Sequence, residues 1–119
     1  MTNYIQVITT VDDKKEAEKI AEHVIEQKLA ACVQISTCQS IYRWQGKVEK
    51  ADEYVCVIKS SKKLYPELVK AIKQIHPYEV PEILATQVVH GNEEYLQWLD
   101  HELRSVSTTR DTEKNGKEE

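Results

Sequence analysis

The densest chemistry in this sequence lies in Ile75-His76-Pro77-Tyr78-Glu79-Val80-Pro81-Glu82-Ile83, where an imidazole, a phenol and two carboxylates share one short connection. Pro77 and Pro81 cannot sit inside a helix or a central strand, and each drives the residue before it, His76 or Val80, toward an extended conformation. The segment therefore predicts a stiff link from a helix that ends near His76 to a strand that opens near Glu82. Two readings fit it. In the first, the link is a polar site, since loops on a rigid scaffold concentrate function. The His76 ring then lies close to Glu79 or Glu82, and the helix end and the carboxylates raise its pKa above the unfolded value. In the second, His76 is a helix-terminal residue favoured by the macrodipole, and the prolines only stop the helix. Residue types alone point to a polar site without naming its ligand.

Other chemistry is sparse. Cys32, Cys38 and Cys56 cannot all pair within one chain, and they form neither a CxxC motif nor a zinc-ligand spacing. Cys32 and Cys38 fall on one predicted strand, roughly 20 Å apart at about 3.3 Å per residue, so no disulfide joins them. All three read as structural thiols. There is no nucleophile elbow, HExxH, P-loop or Rossmann glycine pattern, so the sequence gives no reason to expect an enzyme.

The 119 residues make one domain with one core. Basic residues number 16 against 20 acidic ones, for a formal charge of -4, and they are scattered, which argues against a nucleic-acid partner. Residues 1–10 alternate polar and apolar side chains unlike a signal peptide, and no apolar run reaches the length of a membrane span. A soluble cytoplasmic protein is the expectation.

The elements that must position the link follow from periodicity. Residues 4–10 are β-branched and short, a strand. Asp12 or Asp13 offers an N-cap, Glu16 stands in a capping-box relation to Asp13, and Ala17, Ile20, Ala21, Val24 and Ile25 mark a helix ending at Lys28 or Leu29. Residues 31–44 read as one long strand with a bulge or twist around 37–40. Gln45-Gly46 turns it into a second strand over 47–59. Ser60 or Ser61 caps a second helix with Pro66 in its first turn and Leu64, Leu68, Ala71, Ile72 and Ile75 on its buried stripe. Residues 83–89 form a fourth strand, and Asn92 caps a last helix carrying Tyr95, Leu96, Leu99 and Leu103. The domain spans 1–104, and the polar segment 105–119 is expected to be a disordered tail.

This order, βαββαβ with a terminal helix, predicts an α+β protein: a four-stranded antiparallel sheet with helices on one face. Apolar residues occur on both strand parities, so the second face needs a cover. The hairpin raises the same need, because residues 31–44 span roughly 46 Å when extended while a helix over 14–28 covers only about 22 Å. Its outer half protrudes with Ile41, Tyr42 and Trp44, an aggregation hazard unless another subunit claims it. Self-assembly through these residues follows.

Five ordered stretches resemble the CutA divalent-cation tolerance proteins: Leu29-Ala30-Ala31-Cys32-Val33, 40–47 (SIYRWQGK), Ile58-Lys59-Ser60, 76–82 (HPYEVPE) and 91–99 (GNEEYLQWL). The likeness runs from about Ile5 to Leu103 and excludes only the tail. It implies a ferredoxin-like subunit, a homotrimer similar in architecture to the PII-type signalling proteins, and a role in binding copper or other divalent cations. Copper-binding members have a cysteine where this chain has Thr9 and a histidine where it has Ile75. His76 is the ligand that carries over, and with Glu79 or Glu82 it suits Cu(II) or Zn(II). The resemblance also implies an alternative: a trimeric sensor that takes a small polar ligand in a cleft between subunits, using Trp44, Glu53, Lys59 and Tyr78. Trp44 and Tyr42 also suit plain interface packing, and Lys59 and Glu53 share a strand parity.

Overall fold

The computed structural model describes residues 1–106. In chain order the elements are β1 (Tyr4–Val11), α1 (Lys14–Glu26), β2 (Cys32–Trp44), β3 (Lys47–Ser61), a 3₁₀ turn (Lys62–Leu64), α2 (Tyr65–Ile75), β4 (Leu84–Gln87) and α3 (Glu93–Glu102). The strands form one antiparallel sheet in the order β2-β3-β1-β4. This is the expected α+β, ferredoxin-like architecture. Of the polar tail expected over 105–119, residues 107–119 lie outside the described residues, while Val106 packs against the core.

Strand alternation sorts the core. Val7 faces Ile58, and Thr9 faces Cys56, across β1 and β3. These side chains point to the face where Ala17, Ile20 and Val24 of α1 and Leu68, Ala71 and Ile72 of α2 close over them. Both helices show apolar residues at i, i+3, i+4 and i+7 spacing, which is why each buries one stripe. Residues of the other parity, among them Tyr4, Gln6 and Lys59, point to the second face.

That second face is not entirely bare, contrary to the expectation of helices on one face only. Tyr4 donates its hydroxyl proton to Asp100 Oδ1 at 2.9 Å, and Lys59 Nζ lies 3.5 Å from Tyr95 Oη. Both partners are on α3, so this helix covers the end of the sheet where β1 begins. Farther along, Leu84 remains 59% exposed.

Several local expectations change. The β2–β3 register runs without interruption from Cys32↔Lys59 to Trp44↔Lys47, so no bulge interrupts 37–40. Gln45 (φ 51°) and Gly46 (φ 81°) both adopt positive φ, the signature of a two-residue turn whose twist matches the strands it joins. Asp13 precedes α1 in an extended conformation but makes no side-chain cap, and only its carbonyl accepts, from Ala17 N–H. Ser60 does not cap α2 either: it is buried and donates to the Leu29 carbonyl at 2.6 Å. Asn92 does cap α3, accepting from Glu94 N–H at 3.0 Å. The fourth strand is shorter than 83–89, spanning Leu84–Gln87, with the Val88 N–H still reaching the Tyr4 carbonyl of β1 at 3.0 Å.

The molecule measures 51 × 30 × 25 Å, its long axis reflecting the β2–β3 hairpin. Residues 41–50 are all exposed, so the outer hairpin extends past the helices as strand arithmetic requires. No helix among the described residues is long and apolar enough to cross a membrane.

Candidate functional site

Helix α2 ends at Ile75, and His76 turns extended (φ -72°, ψ 132°) while its N–H still reaches the Ile72 carbonyl at 2.8 Å. Pro77 enforces that exit. The turn carries the His76 ring inward rather than out to solvent, leaving it 8% exposed. Nε2 sits 2.9 Å from the Thr10 carbonyl oxygen, and Nδ1 sits 3.1 Å from Tyr78 N. A carbonyl can only accept and a peptide N–H can only donate, so Nε2 carries the proton and Nδ1 offers its lone pair. The neutral ring is thereby fully used.

Burial lowers the His76 pKa, and the Thr10 carbonyl and the carboxylates of Glu16, Glu53 and Asp12 only partly oppose it. The expected rise is therefore corrected. Desolvation outweighs the charges because the ring has been drawn under the link, and a second proton on Nδ1 would confront the Tyr78 N–H.

Tyr78 meets His76 edge to face at 4.9 Å between ring centres. Its hydroxyl donates to Glu53 Oε2 at 2.7 Å, and Ser40 donates to Glu53 Oε1 at 2.6 Å. Glu53 is 8% exposed, so a carboxylate on the hairpin is held by two hydroxyls, with no salt-bridge partner among the described residues. The phenol pays for that company: burial, then the hydrogen bond and charge of Glu53, push the Tyr78 pKa upward. Register explains the Ser40 contact, since Cys38 is the direct partner of Glu53 and Ser40 follows on the same face. Thr10, His76, Tyr78, Glu53 and Ser40 form one string of polar contacts tying the link to β1 and to the hairpin.

The proposed metal set does not assemble around His76. Glu79 and Glu82 are exposed and are not among the charges bearing on the ring. Among the described residues no group of three or more His, Cys, Asp or Glu side chains is arranged to hold a metal ion. Coordination through Nδ1 would cost the Tyr78 N–H its acceptor, so the residues present do not fit a copper or zinc ion at this ring.

The four cleft residues also separate within one chain. Glu53 and Tyr78 touch. Trp44 pairs with Lys47 at the hairpin end, roughly 20 Å along β3 from Glu53, and Lys59 lies a similar distance the other way. Lys59 turns to α3, its Nζ 5.4 Å from the centre of the Tyr95 ring. Ile41, Tyr42 and Trp44 are 60%, 45% and 57% exposed, an apolar strip on the arm. Sequence reasoning missed Ser40, Thr10 and Tyr95. Alternation could have found Ser40, but a backbone carbonyl and a residue on another helix leave no local signal.

A ferredoxin-like subunit with a long hairpin and a buried His–Tyr–Glu string defines the class. Residues 5–102 match the sequence profile of the CutA1 divalent ion tolerance protein family. The chain is 44% identical over 94 residues to the divalent-cation tolerance protein CutA of Thermus thermophilus, covering 78% of this chain and 91% of that one. It is 43% identical over 99 residues to human protein CutA, covering 82% of this chain but 55% of the relative, so it spans about half of that longer protein. Among solved structures, CutA1 of Pyrococcus horikoshii superposes with a TM-score of 0.82 at 36% identity, over 85% of this chain and 99% of that one. CutA1 of the psychrotrophic Shewanella sp. SIB1 gives 0.84 at 38%, over 87% and 97%. The chain belongs to the CutA1 divalent ion tolerance family.

Proposed function

We propose that this chain acts in tolerance of divalent cations as a cytoplasmic homotrimer, without catalysing a reaction. The observation that carries the reading is the family match over residues 5–102. Self-assembly is supported by the arm: Ile41, Trp44 and Val48 are 60%, 57% and 65% exposed on a hairpin that projects past its own helices. An exposed hairpin bearing apolar side chains in water invites association, and a closed ring of copies satisfies it without leaving an open edge.

Copper or zinc is the candidate ion, with donors other than the His76 ring, whose nitrogens are both engaged. Isothermal titration of tag-free protein with Cu(II) and Zn(II) tests this, with His76→Ala in parallel. Binding that persists in the variant is the expected result. Binding lost only in the variant would return His76 to the ligand set, and no binding by either protein would rule out direct metal capture.

One observation favours the second reading, a small polar ligand in a cleft between subunits. Glu53 is a buried carboxylate served, among the described residues, by two hydroxyls, ready to exchange one of them for a ligand donor. Assembly would have to supply Trp44 and Lys59 from neighbouring copies. A metabolite thermal-shift screen checks it: a ligand should raise the melting temperature of the native protein but not of Glu53→Gln.

A further inference from the structure

Strand parity leaves the second face of the sheet almost free of charge. Its strand positions are the alternate residues of 4–10, 32–40, 53–61 and 84–86, and among them only Glu53 and Lys59, both on β3, are charged. Between these two the face is apolar. Val55 and Val57 stand in line on β3, Ile8 faces Val57 from β1, and Leu84 faces Ile8 from β4. Leu84 is exposed and the other three are half-buried in the single chain. An anion thus closes one end of an apolar strip and a cation closes the other.

Neither charge has an ionic partner among the described residues. Glu53 is 8% exposed with hydroxyl donors alone, whereas buried carboxylates are ordinarily matched by a cation. Each of its oxygens accepts one hydroxyl and keeps a second lone pair, so the group can accept an ammonium as well. Lys59 has only the exposed contact with Tyr95, at 3.5 Å from the hydroxyl. Their separation of roughly 20 Å along one strand prevents the two from meeting within a chain.

We propose that Lys59 of one copy pairs with Glu53 of the next, so that a second copy of this chain completes the polar string that begins at His76. The inference rests on the assembly reading and names the contact that sets its register. In a head-to-tail ring each copy gives its ammonium to one neighbour and receives one from the other, and the apolar strips between the pairs are buried together. Any slip in register would leave Glu53 without its cation and press an ammonium against Val57, Ile8 or Leu84. Charges placed this way select one arrangement of copies over its rivals.

A double-mutant cycle on the full chain tests the pair, read as the concentration at which the trimer dissociates on dilution in analytical ultracentrifugation. Sites this far apart in one chain act independently, so coupling between them can arise only across copies. Lys59→Met and Glu53→Gln should each raise the dissociation concentration about tenfold or more, and the double variant should raise it no further. Lys59→Arg should stay near wild type. Tyr95→Phe, which removes the contact within the chain, should leave the value unchanged. Additive costs in an intact trimer overturn the pair and leave the assembly reading standing, whereas a wild-type monomer overturns both. A trimer indifferent to Lys59→Met overturns the pair even where Glu53→Gln fails to fold.

Discussion

Tyr78 Oη donates to Glu53 Oε2 at 2.7 Å across 25 positions of sequence, so the proline-braced link after α2 is fastened to the base of the hairpin arm. The same residue offers its backbone N–H to His76 Nδ1. Tyr78 thereby couples the ring that ends the helix to a carboxylate on β3.

Tyr78→Phe keeps the ring and removes the donor, leaving one oxygen of a buried carboxylate without its partner. A loss of about 1.5–3 kcal/mol is expected, the range for a hydrogen bond to a charged group. Urea denaturation of the two proteins measures it. A loss below about 0.5 kcal/mol would mean that solvent already serves Glu53.

His76 sets a pH dependence with a defined sign. Its folded pKa is lowered, chiefly by burial, so the native state favours the neutral ring. Between the folded and unfolded pKa values the unfolded chain binds more protons. The His76 contribution is therefore fully present above the unfolded value of about 6.5 and is lost as pH falls below it toward the folded pKa. NMR titration of the ring, beside denaturation at several pH values, should show this, and His76→Gln should flatten that part of the profile. A ring that titrates above its unfolded value would reverse the sign.

Thr9 is fully buried, and its Oγ1 has no hydrogen-bond partner among the described residues. Thr9→Val replaces that hydroxyl with a methyl of similar shape, so the variant should be more stable by about 1 kcal/mol, or roughly 4–8 °C in melting temperature. Calorimetry checks it. Destabilisation would mean that the hydroxyl has a partner in solution.

The arm makes the assembly testable. Light scattering at micromolar concentration should return about three subunit masses, and Trp44→Glu should shift the population toward monomer by placing a charge in an apolar contact. A wild-type monomer at that concentration, or a trimer indifferent to Trp44→Glu, would count against hairpin-mediated assembly.

Order and type of the elements were legible in the sequence because they rest on local physics. The apolar stripe through Ala17, Ile20 and Val24, the Gln45-Gly46 turn, Pro66 near the start of α2 and the Asn92 cap each act within a few residues. The protruding arm was legible too, since strand and helix rises fix the mismatch. The site was not. Whether the link turned His76 toward Glu79 and Glu82 or under the sheet depended on where the Thr10 carbonyl stood, 66 positions earlier. Burial reversed the expected pKa shift, and burial is a property of the packed chain, not of neighbours in sequence. Glu53 found Ser40 through strand register and Tyr78 through the closing of the link. Residue types determined that a polar link would follow α2, and only tertiary packing decided that its imidazole would be spent on holding the link in place.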